Sequence, residues 1–170
     1  QHERETHIVA QAGRPGMMPF PPPSWSFRSS LWTAARLMPA VIGRRRLDDI
    51  LRRATPPAGA RAYGGLAPEA IIAAVKRAAR RPWRMRDRRC LREGLLAFHY
   101  LALAGHRPVL HFGLVPKSVK AGRPRAHCWV SIDGAVVLNP PAEPMIDLLS
   151  YDGADTIAAS ARLLDGADHD

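Results

Sequence analysis

The chain has 170 residues and a formal net charge of +10, from 25 basic and 15 acidic side chains. That length predicts one compact domain. The 46% apolar content excludes a wholly disordered chain, and two cysteines are too few for a disulfide scaffold. The longest charge-free apolar run, residues 94–105, has 12 residues, against the roughly 20 that a bilayer-spanning helix needs. Glu3, Arg4, Glu5 and Arg14 stand near the beginning without an apolar block, unlike a secretory signal. A cytoplasmic protein without membrane contact is therefore expected. Residues 1–142 hold 24 basic and 8 acidic side chains, whereas residues 143–170 hold one and seven. Such a basic body attracts phosphate backbones, anionic membranes and acidic peptides alike, so charge alone selects no partner.

In chain order, residues 1–29 read as a Pro-rich tail, because the run 17–23 with its four prolines cannot make a ladder of backbone hydrogen bonds. Ser29-Ser30 are candidate caps for a helix through Leu31, Trp32, Ala35 and Leu37, disturbed by Pro39 and Gly43. A short helix is predicted over residues 47–54, stopped by Thr55-Pro56-Pro57. Pro68 and Glu69 suit the start of a third helix, with Ile71, Ile72, Val75, Ala78 and Ala79 inward and Lys76, Arg77, Arg80 and Arg81 outward; Pro82-Trp83 ends it. Asp87 can cap a fourth helix whose apolar face runs from Leu91 through Leu95, Phe98 and Leu101, with Gly105 as its stop. The pattern then alternates. A strand is predicted over 109–115, a basic loop over 119–124, and a hairpin of 126–132 and 135–139 around Asp133-Gly134. Pro140-Pro141 should close the sheet, and Asp155 should cap a last helix over 157–164 before a frayed end at 165–170. Helices first and an antiparallel sheet after them argue an α+β domain over residues 30–164.

Two places could carry chemistry. Helix N-termini and neighbouring cations favour a thiolate over a thiol, and Cys90 sits in a predicted first helical turn amid Arg84, Arg86, Arg88, Arg89 and Arg92. Free N–H groups at that helix end could also hold an oxyanion. The second place is Ala126-His127-Cys128-Trp129-Val130. A neutral imidazole there can take a thiol proton, as in Cys-His enzymes. Strand alternation sets His127 and Trp129 on one face and Cys128 on the other, which makes Cys128 a packing residue. A third group would orient the imidazole. Asp133 lies at the hairpin tip, about 20 Å from His127 at ~3.3 Å per residue, and is a turn residue. A three-residue loop 132–134 would set Asn139 opposite His127, whereas a two-residue Asp133-Gly134 loop would set Pro140 there. Asn139 is favoured, with Asp147 as the alternative from the following segment. Zinc is the competing chemistry, but His99, His106, His111 and His127 fall in no paired ligand spacing, so neither metal nor cofactor is expected. The Arg-rich run 77–92 comes without a nucleic-acid-binding motif, and no nucleic-acid partner is expected.

Three segments together resemble the transglutaminase-like leader peptidases of lasso-peptide biosynthesis: Cys90-Leu91-Arg92-Glu93-Gly94-Leu95-Leu96, the strand Val109-Leu110-His111-Phe112-Gly113-Leu114-Val115, and Ala126-His127-Cys128-Trp129-Val130-Ser131-Ile132-Asp133-Gly134. The similarity covers residues 67–142, more weakly from about residue 30. It implies a papain-like core in which Cys90 is the nucleophile and His127 the base, cutting a precursor at its leader–core junction through a thioester. The family places an acidic residue where Asn139 stands, Ala where Cys128 stands and Glu where Ser131 stands. It also implies three partners: the precursor leader peptide, a PqqD-like leader-recognition protein or domain, and an ATP-dependent lasso cyclase. With about 29 residues before the first helix, recognition is expected in trans or from a domain removed upstream. An amide transferase and a noncatalytic binding module on the same fold are the rival readings.

Overall fold

In the computed structural model, which describes residues 23–43, 45–80, 88–154 and 156–157, the helices precede the sheet. The elements are α1 (Trp25–Ile42), α2 (Leu47–Ala54), α3 (Pro68–Ala79), α4 (Arg89–Leu103), β1 (Pro108–Leu114), α5 (Pro116–Lys120), β2 (Ala126–Ile132), β3 (Ala135–Leu138), β4 (Ile146–Tyr151) and β5 (Thr156–Ile157). The strands form one antiparallel sheet in the order β3-β2-β1-β4-β5. This is the expected α+β architecture, with helices packed on a small antiparallel sheet.

The centre of the molecule is α4. Its residues from Arg92 to Phe98 are all buried, and it packs against α1, α2, α3, β1 and β2. Gly94 sets the spacing of this packing. A Cβ there would lie 2.5 Å from the Cys128 sulfur and 3.0 Å from Leu110 Cδ1. Glycine inside a helix costs about 0.5–1 kcal/mol relative to alanine, so its use here reflects the close approach of α4 to β2. On the other side of α4, Phe27 and Tyr63 meet Tyr100 at ring-centre distances of 5.4 and 5.8 Å, and the buried Tyr100 hydroxyl bonds Ser30 at 2.7 Å. Thr55, at the end of α2, bonds the hydroxyl of Tyr151 in β4 at 2.6 Å. The Tyr100 cluster joins α1 to α4, and the Thr55–Tyr151 bond joins the helix layer to the sheet.

Several expectations need correction. The first helix starts at Trp25, not near Ser29-Ser30, because Ser24 Oγ accepts the N–H of Phe27 at 3.2 Å. Pro39 stands inside that helix, which Gly43 ends. Its buried face is Phe27, Leu31, Ala35 and Ile42, while Trp32 and Leu37 are more than half exposed. Part of the basic stretch after β1 is helical, as α5. The sheet does not close at Pro140-Pro141: β4 pairs with the far edge of β1, and β5 follows it. Between Asp147 and Leu149, Leu148 is bulged out of register, which breaks the alternation that a sequence reading needs. Ile157 belongs to β5, not to a final helix. The Pro-rich run 17–22, Pro82-Trp83, Asp87, Asp155, residues 158–164 and the end 165–170 lie outside the described residues.

The Gly94–Cys128 contact predicts a paired result. Gly94→Ala should lower the thermal midpoint, because overpacking costs about 1–3 kcal/mol and exceeds the helix-propensity gain of at most about 1 kcal/mol. Cys128→Ala in the same chain removes the colliding sulfur and should restore most of that loss, read by circular dichroism melts of the four proteins.

Candidate active site

Cys90 is the second residue of α4 and is half-buried. The residue before the helix is Arg88, whose side chain makes no capping bond. Amides of a first helical turn have no intrahelical partner, so those near Cys90 form a ready anion site. Of the cations expected around the thiol, Arg88 and Arg89 are exposed, and Arg84 and Arg86 lie outside the described residues. Arg89 Nε bonds the buried Glu93 carboxylate at 2.8 Å. Arg92 instead turns inward, 3% exposed, and its Nη2 donates to the Ala78 carbonyl at 3.2 Å. It ties α4 to α3.

The hairpin brings the second group. Asp133 and Gly134, at φ +47 and +82, form the two-residue loop, with Ile132 opposite Ala135. This is the register that would oppose His127 to Pro140 in a regular ladder. A bulge then intervenes: Ser131 faces Val136 but Val130 faces Leu138. After Leu138 the chain leaves the strand at Asn139, φ +52, a conformation that Asn tolerates better than most residues. There the Asn139 carbonyl accepts a hydrogen bond from His127 Nε2 at 2.9 Å. Asn139 thus meets His127 through its main chain, not through the side-chain amide that sequence reasoning invoked. The amide points the other way, with Nδ2 3.5 Å from the carbonyl oxygen of Cys90. One residue thus contacts the His127 ring and the main chain of Cys90.

This bond has a chemical consequence. A carbonyl only accepts, so Nε2 carries the proton and Nδ1 of the neutral ring is the basic nitrogen. The arrangement can therefore supply a thiol, a base of defined tautomer and amide donors at a helix end.

Along the sheet, the Trp129 ring lies between two imidazoles. It stacks on His127 at 6.2 Å and on His111 at 5.3 Å, with interplanar angles of 20° and 10°. Gly113 makes room for it, since a Cβ there would stand 3.1 Å from Trp129 Cη2 and 3.1 Å from the Ile146 carbonyl. His111 is pinned by two hydroxyls, Ser150 Oγ at Nδ1 (2.8 Å) and Ser131 Oγ at Nε2 (2.7 Å). Sequence reasoning missed His111 and Gly113 as parts of this layer; their alternation along β1 was legible, but the register that sets them opposite Trp129 and His127 was not.

Of the two substitute acids, only Asp133 is removed from the site by its position: it is exposed at the hairpin tip, 3.6 Å from Arg107. Asp147 stands opposite Gly113, which itself stands opposite His127. Two strand spacings, about 10 Å, separate those backbones, and the Asp147 charge acts on His111.

The other histidines hold structure. His99 Nδ1 bonds the Ala54 carbonyl and His106 Nε2 the Leu66 carbonyl, each at 2.9 Å. Among the described residues no group of three or more His, Cys, Asp or Glu is arranged to hold a metal ion, and no helix is long and apolar enough to cross a membrane. Burial, reinforced by the neighbouring Cys90, pushes the Cys128 thiol far above the usual range, so it remains protonated at the helix contact.

In a comparison with known families, the family model described as the transglutaminase-like superfamily matches residues 31–145. No curated protein and no solved structure shows a significant match.

Two outcomes follow from the two thiols and from His111. Iodoacetamide should alkylate Cys90 in the folded protein and reach Cys128 only on unfolding, read by peptide mass. Burial holds the His111 ring below the usual histidine range, against the upward pull of Asp147. The unfolded chain therefore takes up this proton first, near about pH 6.5. The stability associated with the neutral ring is full above that pH and is lost as pH falls below it. Urea midpoints at about pH 5.5 and about pH 7.5 should differ more for the native chain than for His111→Gln.

Proposed function

Because the chain belongs to the transglutaminase-like superfamily, which includes cysteine peptidases and transferases, we propose that it is a cysteine peptidase acting on a ribosomally made peptide precursor. The observation that carries this reading is the His127–Asn139–Cys90 connection, in which one residue bonds the ring through its carbonyl and approaches the start of α4 through its amide. His127 Nδ1 takes the Cys90 proton as the sulfur attacks the scissile carbonyl, and amides of the first turn of α4 receive the oxyanion. Collapse of the tetrahedral species breaks the C–N bond, and the imidazolium returns its proton to the leaving amine. The thioester on Cys90 is then opened by water, whose proton goes to Nδ1, releasing a carboxylic acid and the free thiol.

The lasso-peptide leader is the substrate favoured by the Cys90, Gly113 and His127-to-Gly134 segments. A separate leader-recognition protein and an ATP-dependent cyclase are its proposed partners. The third position supports this reading less directly than a carboxylate would. A carbonyl fixes the ring tautomer but stabilises an imidazolium less than an ionised acid. An amine in place of water would make the same site an amide transferase.

Incubation with candidate precursors, alone and with a leader-binding partner, tests the reading by product mass. A free carboxylate at the cut indicates hydrolysis and a new amide indicates transfer. Cys90→Ala should abolish turnover with the fold intact, and retained cleavage would reject the assignment. His127→Ala should lose about 10²–10⁴-fold in rate. Asn139→Gly keeps both the carbonyl and the positive φ, and should stay within about tenfold of the native rate. A loss matching that of His127→Ala would instead assign the ring's orientation to the Asn139 side chain.

A further inference from the structure

Between α1 and α3 runs an open groove of about 710 Å³. Arg28 and Arg36 line it from α1, and Arg77 and Arg80 from the end of α3. Its floor is apolar, made by Leu31, Trp32 and the alanines of α3. Among the described residues no Asp or Glu lines it, and none of these four arginines has a carboxylate partner. Arg36 is held in place, its guanidinium 3.6 Å from the centre of the half-exposed Trp32 ring.

Four cations around one trough, with no carboxylate beside them among the described residues, repel each other, and an anionic occupant relieves that repulsion. The groove is tied through α3 to the helix that carries Cys90. Ala78, one of its lining residues, accepts the hydrogen bond of Arg92, two residues beyond Cys90 in α4. We infer that the α1–α3 groove docks an acidic segment of the peptide processed at Cys90, its carboxylates on the arginine rims and its apolar side chains on the alanine and tryptophan floor. This deepens the proposed function and rests on it for the identity of the peptide as substrate. A phosphodiester chain could satisfy the arginines, but it has no aliphatic side chains for the alanine floor, so the mixed lining favours the peptide.

The test uses the full chain carrying Cys90→Ala and a fluorescein-labelled peptide of repeating Glu-Leu-Leu-Glu units, followed by anisotropy. This peptide should bind, its affinity should fall as salt is raised, and a Lys-Leu-Leu-Lys counterpart should not bind. Arg77→Glu with Arg80→Glu, both exposed positions, should weaken binding at least about tenfold, with an unchanged melting curve. Arg123→Glu, on the loop after α5, should leave binding unchanged. Equal binding by the Lys peptide, no effect of the double reversal, tighter binding of an oligothymidylate, or salt-sensitive self-association by light scattering in place of peptide binding would each overturn the inference. Because binding is read without turnover, its loss leaves the Cys90 chemistry standing. Peptide binding by a protein whose native form cleaves nothing would instead retain the groove as a docking site and reject the peptidase reading.

Discussion

The approach of α4 to β2 at Gly94 and Cys128 is the contact on which the rest of the arrangement depends. No side chain fits between helix and strand there, so α4 lies close against β2. Cys90 lies one helical turn before Gly94, and His127 immediately precedes Cys128. The same contact therefore determines where the start of the helix stands relative to the start of the strand. Cys128 is buried and protonated, and its sulfur fills this junction without competing with Cys90 for chemistry.

Around that junction the fold divides polar duties between the two faces of the sheet. The face toward α4 is apolar, with Leu110, Val130 and Leu138 fully buried. The opposite face carries Trp129 stacked on His111 and the hydroxyls of Ser131 and Ser150, and His127 stacks on Trp129 where β2 begins. Where the resembling family has Glu, Ser131 here bonds a neutral histidine, an arrangement that suits a ring whose charged form is disfavoured by burial. The bulges in β3 and β4 matter for the same reason. One adjusts the return of the hairpin so that Asn139 reaches His127, and the other brings Asp147 opposite Gly113.

Much of the fold was legible in the sequence because it follows local rules. α2 and α3 were found from capping, proline and apolar spacing, and β2 from alternation bounded by turn residues. Cys90 and His127 were legible as candidates because each begins a regular element, where side chains and backbone groups stand open. What escaped was non-local. The burial of Arg92 could not be read from its neighbours, since it depends on a carbonyl 14 residues away on another helix. The exposure of Trp32 and Leu37 depends on which stripe of α1 meets the core.

The sequence by itself determined the helices α2, α3 and α4 ahead of the strands β1 to β3, a turn at Asp133-Gly134, and the placement of Cys90 and His127 at the starts of a helix and a strand. These follow from steric and hydrogen-bonding preferences acting over a few residues. Only the tertiary structure decided that Asn139 bonds His127 through its carbonyl, that β4 completes the sheet beside β1, and that four arginines from two helices rim one groove. Each of these depends on register and approach between segments distant in the chain, where one bulge redirects every following side chain.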